Sequence, residues 1–437
     1  MTRLIAAFAA LIFLAVPTYG EVAIQKVTSP GGVNAWLVEE HAIPFTALEI
    51  RFRGGTSLDA PGKRGATNLM TGLIEEGAGD LDARSFAAAR EALAASYSFG
   101  AYDDALTVSA QFLTENRPAA VALLKSALSA PRFDDDAIER VRGQVLSHIR
   151  SRATDPNAIA GSTFDGLAFG DHPYGSDSSG TVDTVTALTR QDIVNAYSGA
   201  IARDRIYLAA VGDITAQELG ALMDRLFSDL PETGAPQSDT VAFGLGGGVT
   251  VVPFETPQSV AKFGHAGITR DDPDFFAAYV VNQIMGGGNF NSRLMQEVRE
   301  KRGLTYGVNT YLVPMDLSEM VIGFVASANE RMAQTLDVIR AQWAKLATQG
   351  ITAKELKDAQ TYLTGAYPLR FDGNGPIARI MVGMQMQGLP IDYIATRNDR
   401  INAVTLQEAN RVAARVYRPD ALHFVVVGQP VGVETGK

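Results

Sequence analysis

The feature that most restricts how this chain can fold is self-similarity at an offset of 216 residues. Thr189-Arg190-Gln191-Asp192 opens a helical pattern that leads to Asp204, the strand-like Arg205–Val211 and the ending Val211-Gly212-Asp213. Thr405-Leu406-Gln407-Glu408 opens another, leading to Asp420, Leu422–Val427 and Val427-Gly428-Gln429. Helical stretches at 117–129 and 134–150 have counterparts at 331–348 and 353–366. Two copies of one fold are therefore expected, a first domain over 21–228 and a second over 249–437. Between them, residues 229–248 carry Pro231, Pro236, Gly244 and the run Gly246-Gly247-Gly248, which cannot sustain a helix and reads as a flexible connection.

Both periodicities occur in each half. Leu48-Glu49-Ile50-Arg51-Phe52-Arg53 alternates apolar and charged, as a strand with one wet face does, and Leu106–Ala110 and Met320–Val325 behave similarly. Ala/Leu-rich segments at 82–95, 117–129 and 134–150 read as helices. Thr215…Glu218, Thr352…Glu355 and Thr405…Glu408 have the spacing of capping boxes. Strands in hairpin-like order with helices packed on one face of the sheet give an α+β class, and the absence of a Gly-rich phosphate loop after the first strand disfavours a dinucleotide-binding sheet.

Composition excludes several functions. The 437 residues carry 38 Lys+Arg against 48 Asp+Glu, a formal net charge of −10, so a general nucleic-acid binder is disfavoured. With no Cys, neither a disulfide framework nor a thiolate metal site can form. Residues 1–20 are set apart: Arg3, the apolar run Leu4–Val16, then small residues before Glu21. The run is shorter than the roughly 18 residues a membrane span needs, so it reads as a secretory signal cleaved after Gly20, and the mature chain is expected outside the cytoplasm, in a bacterial periplasm.

The five histidines, His41, His148, His172, His265 and His423, include no pair four residues apart, so no zinc helix of either polarity exists. No Gly-x-Ser-x-Gly elbow occurs either. The residues themselves stop at a two-domain α+β protein with no evident catalytic centre.

Three segments nevertheless resemble the pitrilysin (insulinase) family of zinc peptidases. Gly65-Ala66-Thr67-Asn68-Leu69-Met70-Thr71-Gly72-Leu73-Ile74-Glu75-Glu76-Gly77 is similar to the family helix that bears an inverted His-x-x-Glu-His motif. Ser292–Val308 is similar to its downstream Arg/Tyr segment, and His172-Pro173-Tyr174-Gly175 to a further family stretch. The resemblance implies a duplicated fold, with an antiparallel-rich sheet and helices in each domain. It also implies that Asn68 and Gly72 stand where the two ligand histidines belong, Thr71 where the general-base Glu belongs, and His148 where the third ligand belongs. Asn68 is a poor zinc ligand, Gly72 has no side chain, one imidazole does not hold zinc, and a threonine hydroxyl does not take a proton from water at neutral pH. Arg299 and Tyr306 are retained, and in the family this pair faces substrate across a chamber.

The implied function is that of a non-catalytic subunit. It would carry no metal of its own, pair with a family member bearing intact His-x-x-Glu-His and zinc, and bind peptide through Arg299 and Tyr306. The alternative is a peptide-binding or assembly protein of the same fold with no proteolytic role.

Blander readings stand beside these. Arg299 also fits a solvated face within Glu297–Arg302, and Tyr306 a half-buried strand aromatic. His148 fits an ordinary helix position, and His172 before Pro173 a structural turn. Glu75 and Glu76 are neighbours that do not converge, Gly286-Gly287-Gly288-Asn289 is a helix-ending loop, and Met381, Met384 and Met386 with Ile377 and Ile380 are core.

Overall fold

The computed structural model describes residues 23–288 and 291–436. The expected signal segment 1–20 and Asn289 of the glycine-rich loop lie outside them. Each half builds one sheet. The first runs in the order Gln25–Thr28, Asn34–Glu39, Ile206–Gly212, Phe45–Arg53, Ala105–Leu113, Ser96–Ala101. The second runs Gly248–Pro253, His423–Gly428, Gln258–Ala266, Glu319–Ala328, Val308–Pro314. Without its first edge strand, the first sheet has the same order as the second. In each, one pair is parallel, Trp36 opposite Ala209 and Phe424 opposite Val249, and all other pairs are antiparallel. The duplication read from the offset is thus a duplication of strand order and polarity.

The helices follow their sequence signals closely. Arg117–Ser129, Asp135–Arg152, Met332–Gln349 and Ala353–Gly365 form where the Ala/Leu-rich patterns lie, and Ala83–Ala92 starts after Asp82, whose carboxylate accepts from the Ser85 N–H at 2.8 Å. Thr215 and Thr352 close full capping boxes, as does Thr189 with Asp192. Thr405 accepts from the Glu408 N–H, but no return bond from Glu408 completes its box.

Each half packs its own helices on one face of its sheet, burying Leu37, Leu48, Ile50 and Phe52 in the first and Phe263, Val321, Phe424 and Val426 in the second. Strand side chains alternate between faces, so the intervening residues point the other way, and those faces are covered too. Helix Asn374–Met386 of the second half lies on the first sheet, seating Met381, Val382 and Met384 against Trp36, Ala209 and Val211. Helix Pro156–Phe169 of the first half lies on the second sheet, seating Phe164 and Ala168 against Ile322 and Val425. The methionine cluster is core, but core formed between the halves.

One charged pair marks each crossing, with opposite polarity. Glu49 of the first sheet meets Arg379 at 3.4 Å; Lys262, in the same place of the second sheet, meets Asp165 at 2.5 Å. Burial pushes the Glu49 and Asp165 carboxyls up, while their partner cations pull them back. Because the signs are reversed, each crossing helix matches the sheet of the other half and would repel its own.

The connection 229–247 holds no regular element, and the strand already begins at Gly248. It is not the loose tether that its composition suggests. The Ala235 N–H donates to Gly199 O, Ser238 Oγ to Ser57 O, the Val241 N–H to Leu317 O and the Gly244 N–H to Ala168 O, all at 2.7–2.9 Å. Val241, Phe243 and Leu245 pack into the same apolar cluster as Phe164. Those apolar residues among the prolines and glycines are what strap it down.

Candidate functional site

The degenerate motif lies on helix Ala66–Leu73. No side chain caps this helix from Gly65. Instead the carboxylate of Asp59 accepts from the Gly65 and Thr67 N–H groups, both at 2.8 Å, while burial pushes its carboxyl up against those donors. Gly65 is required there: its φ is +97°, and a Cβ would stand 2.6 Å from Ser179 O. Ala66, Leu69, Met70 and Leu73 are buried at helical spacing, which turns Asn68 and Gly72 toward helix Asp135–Arg152 and the surface.

Each motif position is poorly suited to metal chemistry in its own way. Thr71 is buried and its hydroxyl donates to Thr67 O at 2.7 Å, so its proton is committed to the helix. Asn68 is half-buried and neutral. At Gly72 an added Cβ would stand 3.0 Å from Cγ1 of Val141, a buried residue of the facing helix. A side chain at the second ligand position would crowd that methyl, although Gly72 is otherwise exposed. His148 is on the same facing helix, two turns beyond Val141, and is exposed. Among the described residues, no three His, Cys, Asp or Glu side chains gather into a group able to hold a metal ion. Zinc, which the resemblance implies for this helix, does not fit the residues present.

Glu75 and Glu76 lie in the turn after the helix, which ends at Leu73 rather than at Gly77. They diverge, Glu75 to Arg90 and Glu76 to Arg140. His172 caps the short turn Pro173–Gly175, accepting from the Tyr174 N–H at 3.2 Å, with Nε2 3.1 Å from Asp239 O of the connection. It is structural.

The Arg/Tyr segment is built differently from the plain charged helix its sequence suggests. Met295–Glu300 is a π-helical stretch, with the Lys301 N–H reaching back to Gln296 O at 3.0 Å. Met295 and Val298 anchor it to the core. Glu297 is held by Lys301 and Arg302, each at 2.7 Å, whereas the Arg299 side chain is one-third exposed, its Nε 3.6 Å from Glu300. The Gly303 N–H bonds Arg299 O at 2.8 Å, and φ of +61° at Gly303 turns the chain out of the helix.

Tyr306 is not in a strand, contrary to the sequence pattern; the strand begins at Val308. Leu304 is buried, and Thr305 is stapled by its hydroxyl to Ala326 O at 2.6 Å and by the Gly307 N–H at 3.1 Å. The residue between these two fixed points projects outward. Tyr306 is 87% exposed, the most exposed large apolar or aromatic side chain among the described residues, which removes the reading of a half-buried strand aromatic.

Sequence reasoning missed Val141, whose role depends on a contact between helices about seventy residues apart. It also missed an arginine-lined cleft in the second half, because Arg270, Arg370, Arg379 and Arg397 share no local pattern.

Comparison with known proteins bears on both halves. The family profile described as Insulinase (Peptidase family M16) matches residues 36–179, and that described as Peptidase M16 inactive domain matches residues 187–363. The non-peptidase homolog YmxG of Helicobacter pylori is 24% identical over 389 residues, covering 89% of this chain and 90% of that protein. An uncharacterized zinc protease of Streptomyces coelicolor is 25% identical over 370 residues, covering 82% and 80%. A crystal structure described as a peptidase M16 inactive domain from Pseudomonas fluorescens superposes with a TM-score of 0.88 at 27% identity, covering 95% of this chain and all of that one.

Proposed function

Because the chain belongs to the insulinase family of M16 peptidases, as an inactive member, we propose that it is the non-catalytic subunit of an exported two-chain zinc metalloendopeptidase. In this reading it closes a peptide chamber over a partner of the same family that carries intact His-x-x-Glu-His and the zinc. Arg299 and Tyr306 reach substrate held in that partner. A guanidinium fork and a phenol both donate hydrogen bonds to a peptide carbonyl, and such donors act most strongly where negative charge develops on its oxygen. Residues 1–20 direct export, and the mature complex works in the periplasm.

The observation that carries the reading is Tyr306, 87% exposed yet held on a bend stapled by Thr305. A free-hanging aromatic gains nothing for folding, so its fixed presentation points to a partner or substrate. No helix among the described residues is long and apolar enough to cross a membrane.

The test is coexpression with a family peptidase of the same organism that bears the intact motif. Copurification, with peptide cleavage by the mixture and none by this chain alone, is the expected result. A chain that purifies alone, retains an equivalent of metal through dialysis and cleaves peptides by itself would contradict it. Copurification without any gain in cleavage would move the assignment to the assembly role.

A further inference from the structure

A cleft of about 630 Å³ lies in the second half, between helices Phe275–Gly286, Ala353–Gly365, Asn374–Met386 and Tyr393–Ala403 and strand Val308–Pro314. In a chain whose formal charge is −10, its wall carries Arg270, Arg370, Arg379 and Arg397 and no Asp or Glu. Only Arg379 meets a carboxylate, Glu49 at 3.4 Å; among the described residues the other three form no ion pair.

Arg370 is exposed, while the charges of Arg270 and Arg397 are held by rings and neutral oxygens. The Arg270 guanidinium stands 4.1 Å from the Phe275 ring centroid and donates to the Tyr393 hydroxyl at 2.9 Å. Arg397 is 5% exposed and stacks 4.1 Å from the Tyr367 ring, donating to Leu363 O at 3.2 Å and Asn398 Oδ1 at 3.0 Å. Buried charges are ordinarily paired with an opposite one.

The wall therefore offers convergent donors, with apolar surface from Leu312, Ile380, Met384 and Leu389 between them. A guanidinium fork matches a carboxylate with two parallel hydrogen bonds. The volume suits a segment with side chains, whereas a single inorganic ion would leave most of it empty. We propose that this cleft binds an acidic peptide segment, its carboxylates on Arg270, Arg370 and Arg397. The site is separate from Arg299 and Tyr306 and does not depend on the role given to them.

The test uses the full chain and fluorescence anisotropy with a labelled octapeptide of alternating Glu and Leu. The same peptide with Gln for Glu, and inorganic phosphate as competitor, serve as controls. Saturable binding of the Glu peptide, about tenfold or more tighter than the Gln peptide, is expected. Arg370→Ala, at an exposed position, should weaken it about fivefold, and Arg370→Glu about tenfold or more. Arg299→Ala should bind as wild type, which keeps this result apart from the peptidase reading. Equal binding of both peptides, indifference to both variants, or binding of phosphate in place of peptide would each overturn the proposal.

Discussion

Whether Val141 closes the second ligand position can be measured with a double-mutant cycle on Gly72 and Val141. Gly72→Ala gains about 0.5–1 kcal/mol of helix propensity. Its Cβ also enters contact at 3.0 Å with Val141 Cγ1, and overpacking of this kind costs about 1 kcal/mol or more. The two effects nearly cancel, so the single variant should lie within about 0.5 kcal/mol of wild type. Val141→Ala removes two buried methyl groups, a loss of about 2 kcal/mol with its cavity. In that background the clash is gone, and the methyl introduced by Gly72→Ala keeps its gain in propensity and fills part of the void. Gly72→Ala should then stabilise by about 1–2 kcal/mol, a coupling of the same size. Urea denaturation of the four proteins, followed by far-ultraviolet circular dichroism, reads this directly. Additivity within about 0.3 kcal/mol would mean that the two positions do not touch and that Val141 does not crowd the second ligand position. A histidine shares the alanine Cβ, so restoring the ligand set in the Val141 background carries the same strain.

Two further outcomes follow from the packing. His265 is fully buried; its Nε2 accepts from Trp343 Nε1–H at 2.9 Å, which leaves Nδ1–H to donate to Ala266 O at 2.8 Å. Burial holds its pKa down at about 4, below the ordinary 6.5, so the unfolded chain binds the proton first and stability falls as pH drops from about 6.5 to about 4. The expected loss is about 3 kcal/mol by urea midpoints across that window, and a His265 resonance titrating near 6.5 would refute it. At the second crossing, Lys262→Glu faces Asp165 with a like charge and should destabilise by about 3 kcal/mol, whereas Lys262→Glu with Asp165→Lys should recover most of that loss. No recovery in the double variant would show that the pair does not set the fit of helix to sheet.

The duplication, most helix positions and the α+β class were legible because each rests on local signals: an offset, a 3.6-residue period, a Thr-x-x-acid start. The crossing helices were not. Pro156–Phe169 and Asn374–Met386 announce an apolar face, but nothing local says whose sheet covers it. A hint existed in Leu208-Ala209-Ala210-Val211 and Phe424-Val425-Val426-Val427, whose unbroken apolar runs signal strands buried on both faces. At the site, the sequence shows Asn68, Thr71 and Gly72 where the resemblance places the motif. It did not reveal that Val141 crowds Gly72, nor that a π-helical turn and a threonine staple would set Tyr306 in solvent rather than in the sheet. Those depend on contacts between segments far apart in the chain.

If this chain supplies Arg299 and Tyr306 to substrate on a partner that supplies the metal, the two contributions must separate by mutation. The decisive experiment is kcat and zinc content, determined together, for the two-chain complex carrying Arg299→Ala or Tyr306→Phe. The expected outcome is a drop in kcat of about 100-fold for Arg299→Ala and less for Tyr306→Phe, with one zinc per complex retained in both. Unchanged kcat, or zinc lost along with activity, would contradict it.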